Sequence, residues 1–168
     1  MNWTKFLSVL VFGIFFGLVE AAIVIYLRSF FDLQSIHPLT DLTKQDIAIS
    51  FKAIAFLKPH LSVLIMGSQK ILMVELWREL ATLVMLVSLA IAVGENFRQR
   101  LAYFFLSFGM WDIFYYIFLK FFLNWPNTLF DTDVFFLIPV AWIGPVLTPL
   151  IISSLLIITS VFILEKRK

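Results

Sequence analysis

Cysteine is missing from this 168-residue chain. Its absence excludes disulfides, thiolate metal sites and a cysteine nucleophile. Histidine is almost as scarce: His37 and His60 stand 23 residues apart with no ligand-like spacing, which gives a histidine zinc site no support. Charge is thin, at 14% of residues with a net of +2. Lysine and arginine are spread through the connections instead of gathering on one stripe, so nucleic acid is not expected as a partner.

What fills the chain is apolar. Hydrophobic residues make up 61%, with 20 Phe, where a soluble domain carries about 45–50%. The lipid bilayer is therefore the first expected partner. A chain of this length holds about four spanning helices of ~20 residues and their connections, so the expected fold is all-α, a four-transmembrane-helix bundle in which residues 1–168 form one integral membrane domain. The apolar run 6–27 is too long for the core of a signal peptide and reads as a retained helix.

Three more spans follow, over about 71–93, 101–123 and 145–164. In the first, Gly13, Gly17 and Ala21 recur every four residues, a small-residue stripe that lets another helix approach closely. Between the first two spans, Thr43-x-x-Asp46 has the form of a capping box, and Ile47, Phe51, Ile54, Leu57 and Leu61 fall at helical spacing. The spacing predicts a helix over about 44–58 in the headgroup region, with Lys44, Lys52 and Lys58 toward the phosphates and Pro59 ending or kinking it. Residues 134–164 are too long an apolar run for one straight span. Pro139, Pro145 and Pro149 interrupt it, which predicts an irregular or re-entrant segment through Pro139, Trp142 and Gly144, or a proline-kinked helix, with the last span starting at Pro145.

The chemistry worth attention lies inside these spans. Glu75, Arg78 and Glu79 stand at i, i+3 and i+4 and form one charged stripe on an apolar helix. Glu75 and Arg78 are placed to pair locally. Glu79 then needs a partner from elsewhere. Glu20 and Asp112 lie deep in their own spans, and helical rise puts Glu20, Glu79 and Asp112 at comparable depth, where three carboxyls from three helices can converge. Tyr115 and Tyr116 share a face with Asp112, so a phenol can reach its carboxyl or a common third group. Ser153, Ser154 and Ser160, with no base nearby in sequence, read as packing residues. Short basic clusters at Arg98/Arg100 and Lys166/Arg167/Lys168 predict cytoplasmic termini.

The segments Glu20-Ala-Ala, Tyr26-Leu-Arg28, Arg78-Glu79-x-Ala81-Thr82, Trp111-Asp112-x-Phe114-Tyr115-Tyr116 and Leu137-Ile-Pro139-Val-x-Trp142-x-Gly144-Pro145-Val146 together resemble a family of small uncharacterised bacterial integral membrane proteins. The resemblance implies a bacterial cytoplasmic (inner) membrane location and no particular activity, cofactor or metal. Buried carboxyls in such excess have three chemical outcomes: shared protons, a bound cation, or neutralisation by a partner's basic group. The corresponding functions are a proton- or cation-handling transporter, an enzyme using a carboxylate-held metal on a lipid-like substrate, and an accessory subunit covered by another membrane protein or by its own copies. Four short helices rarely enclose a pathway alone, which favours the accessory subunit, while a homo-oligomer would restore the transporter.

Overall fold

A computed structural model describes residues 2–31, 46–51 and 53–165. In chain order its elements are α1 (Trp3–Phe31), β1 (Ile47–Phe51), β2 (Ile54–Leu57), α2 (Pro59–Met66), α3 (Gln69–Val93), α4 (Phe97–Leu123), β3 (Thr132–Phe136), β4 (Trp142–Pro145) and α5 (Leu147–Glu165). Four of these helices, α1, α3, α4 and α5, are long and apolar enough to cross a membrane. The molecule is a mostly helical, multi-pass membrane protein.

It is not all-α. Four short strands form one antiparallel sheet in the order β1-β2-β4-β3. Over the described part of 44–58 the expected interfacial helix is instead the β1–β2 hairpin, while Lys44 and Lys52 lie outside the described residues. The physical reason is that Ile-Ala-Ile-Ser-Phe and Ile-Ala-Phe-Leu fit a two-residue period as well as a helical one. β-branched and aromatic residues favour a pleated surface wherever a third strand is on hand to stabilise the hairpin. β4 provides that strand, pairing Ala55 with Ile143 and Phe56 with Trp142.

Two corrections involve proline. Pro59 opens α2 at its first turn instead of ending a helix, the position where a missing N–H costs nothing. The segment before the last span is the β3–β4 hairpin, with a cis Ile138–Pro139 bond, and α5 starts at Leu147 and not at Pro145. Pro145 occupies the last position of β4, opposite Thr132 and beyond the two residues that pair with β2, so it interrupts no ladder between inner strands.

Contacts divide the chain into two compact units. One comprises Met1–Ala22, Thr82–Trp125 and Pro149–Lys168. Here α4 is the most enclosed span, because glycines let its neighbours approach its backbone. A Cβ on Gly17 would lie 2.7 Å from the Trp111 carbonyl oxygen, and one on Gly13 2.7 Å from the Met110 Cβ. On another side of α4, a Cβ on Gly109 would lie 2.7 Å from the Ser153 carbonyl oxygen. Val9, Ala90, Ala102, Tyr103, Leu106 and Leu164 form the apolar core of this unit.

The other unit comprises Ile23–Ala81 and Pro126–Thr148. One face of the sheet packs Leu57 and Ile143, with Ala55 and Val134, against Leu61 of α2 and Leu72 and Leu76 of α3. Gly144 is obligatory in this packing: a Cβ there would overlap the Ala53 carbonyl oxygen. Thr148 Oγ1 donates to the same oxygen at 3.2 Å.

Candidate functional site

Each intramembrane carboxyl is engaged by a group of its own unit. Glu20 is 4% exposed on α1, and its Oε1 accepts the Thr82 hydroxyl of α3 at 2.7 Å. In the same unit, Asp112 of α4 accepts the Ser153 hydroxyl of α5 at 2.8 Å. The route to this second bond is local: Gly109, one turn before Asp112, lets α5 come close enough for a serine side chain to span the gap. Each of these hydrogen bonds ties a carboxyl oxygen of one helix to a hydroxyl of another.

In the sheet-bearing unit, Arg78 Nε donates to Glu75 Oε2 at 2.7 Å, one turn apart on α3. Glu79 is turned to the sheet. Both of its carboxylate oxygens accept the backbone N–H of Leu137, at 3.0 and 2.9 Å. That N–H lies one residue past the end of β3, after the register irregularity between Val134 and Phe136, so the strand ladder leaves it without a carbonyl. Buried backbone donors require an acceptor, and Glu79 meets the requirement. Asp133 of β3 forms a further ion pair with Arg28 of α1 at 3.6 Å, with side chains 7% and 18% exposed.

Tyr115 and Tyr116 meet edge to face at a centroid distance of 4.9 Å, and the Tyr116 ring lies 6.4 Å from that of Trp125. Trp142 belongs to an aromatic row on the sheet, Gly144 allows the close approach to Ala53, and Pro139 is exposed between the strands. Among the described residues, no three His, Asp or Glu side chains form a set able to hold a metal ion.

The sequence singles out all four intramembrane acids, because a carboxyl inside an apolar run is conspicuous. Apart from Arg78 for Glu75, it does not single out their partners. Thr82 and Ser153 are ordinary in spanning helices, the Leu137 N–H has no side-chain signature, and Arg28 reads as a boundary charge. Sequence separations of 62 for Glu20 to Thr82 and 58 for Glu79 to Leu137 explain why. Compared with known protein families, with curated protein sequences and with solved structures, the chain matches none.

Proposed function

We propose that this protein is an accessory or scaffolding subunit of a larger bacterial membrane complex, held in the inner membrane with both termini cytoplasmic. The observation that carries the reading is the use made of the acids. Glu20 and Asp112 each accept a hydroxyl from another helix, Glu79 accepts a strand-end N–H, and Glu75 pairs with Arg78 on its own helix, which is what structural carboxyls do. The charged stripe of α3 is covered from within the chain, with Glu75 and Glu79 4% and 7% exposed, so these acids need no partner's basic group, and the expectation of a partner rests on the apolar faces of the helices instead of on a group that neutralises the stripe.

What the helices turn outward is apolar. On α3 the exposed large side chains include Val74, Trp77, Val84 and Ile91, and on α5 they include Ile151, Leu155, Ile158 and Phe162. Such faces suit lipid or another membrane protein. Among the described residues no three His, Asp or Glu side chains come together as the metal-dependent enzyme reading requires, and the transport reading requires acids that serve an ion and not the fold.

Purification from native membranes in a mild detergent tests the proposal. A stoichiometric membrane partner is the expected outcome, whereas a homo-oligomer with no second protein favours the transport reading. A monodisperse monomer in several mild detergents, with nothing co-purifying, overturns it.

A further inference from the structure

The sheet has two apolar faces. One is packed into its unit's core through Ala55, Leu57, Val134 and Ile143. Alternation and register assign Ile49, Phe51, Phe56, Phe136 and Trp142 to the opposite face. Two register irregularities create this division. One lies between Ile47, which packs on the core, and Ile49; the other lies between Val134, which also packs there, and Phe136. A bulge re-aims the side chain that follows it.

The result is an unbroken row of rings across all four strands. Phe51 meets Phe56 at 6.2 Å, Phe56 meets Trp142 at 5.0 Å, and Trp142 meets Phe136 at 6.1 Å between centroids. At the β1 end Ile49 is 59% exposed and Phe51 68%. A row of this kind facing water would be an exposed apolar patch of the sort that marks an interaction surface.

Charge indicates what covers it. Among the described residues of this unit, every carboxylate is buried or half-buried, and the exposed formal charges are Lys58 and Lys70. Lys58 stands directly after β2, and Lys70 lies in the first turn of α3, a membrane-length helix. An exposed apolar strand in a unit whose fully exposed formal charges, among the described residues, are lysines matches the boundary between acyl chains and anionic headgroups. We propose that this sheet face is a lipid-contact surface, seated at the headgroup level of an anionic bilayer with Phe51 and Ile49 inserted and Lys58 and Lys70 on phosphates.

The absence of cysteine makes the test direct. Ile49→Cys, Phe51→Cys and, as a water-facing control, Arg98→Cys are each spin-labelled in the full chain and reconstituted into phosphatidylcholine vesicles with and without phosphatidylglycerol. Thermal unfolding matched to the parent establishes that each labelled variant is folded. The expected result is that labels at 49 and 51 collide more with oxygen than with a water-soluble nickel chelate, the reverse of the label at 98. Phosphatidylglycerol shifts them deeper, and Lys58→Gln with Lys70→Gln removes that shift. Nickel accessibility equal to that at 98 means water and overturns the proposal. Labels shielded from both reagents mean a protein cover, from this chain or a second copy, and overturn it equally. A depth that ignores phosphatidylglycerol overturns the assignment to anionic lipid.

Discussion

Glu79 accepts one backbone N–H with both carboxylate oxygens, and this asymmetry sets what substitution does there. Glu79→Gln keeps an acceptor for Leu137 but replaces one of the two accepting oxygens with an amide NH2. Glu79→Ala leaves a buried donor with nothing in reach, which costs about 1–3 kcal/mol for a neutral group. Thermal unfolding in detergent is therefore predicted to rank parent above Gln above Ala. An Ala variant as stable as the parent would remove Glu79 from its role. The same logic applies to Thr82→Val, a near-isosteric change that deprives Glu20 of its hydroxyl donor. It is predicted to destabilise by about 1–3 kcal/mol, and more than Thr159→Val on α5, whose hydroxyl bonds its own helix at Leu155. At this scale the sequence is informative about the acids and about the Glu75–Arg78 pair, and silent about the partners of the other three. An ionisable side chain in hydrocarbon announces itself, while a threonine or a strand-end amide becomes significant only when packing brings it near.

The elements show the same division for a different reason. Long apolar runs specify membrane-length helices almost regardless of context, and the observed spans exceed the expected limits only by short extensions at their ends, except that α5 begins two residues later. The stripe of Gly13, Gly17 and Ala21 likewise announced a close helix contact, and α4 is its partner. The sheet was illegible because its strands are four or five residues long, too short for periodicity to separate strand from helix. Their pairing, Ala55 with Ile143, joins residues far apart in the chain. One prediction belongs here. In an exposed helix Gly→Ala gains up to about 1 kcal/mol of helix propensity. At Gly17 the new methyl meets the backbone of α4, which cannot swing aside as a side chain can, and overpacking costs about 1–3 kcal/mol. Gly17→Ala is therefore predicted to lower the unfolding temperature, and a rise would mean that α1 and α4 are not in close contact in the bilayer.

For the whole molecule, the organising fact is that each compact unit has its own core and its own buried or half-buried acids. The helical unit ties Glu20 and Asp112 to hydroxyls of other helices; the sheet-bearing unit ties Glu79 to a strand end and Asp133 to Arg28. If these acids are structural, the function they permit is one of presenting apolar helix faces to partners within the membrane. The most direct test is Glu20→Gln, Glu79→Gln and Asp112→Asn, each measured for thermal unfolding in detergent and for proton and cation flux in proteoliposomes. The account predicts that all three lower the unfolding temperature and that none changes a flux above that of empty vesicles. Unaltered stability together with a flux present in the parent and lost in the variants would contradict it.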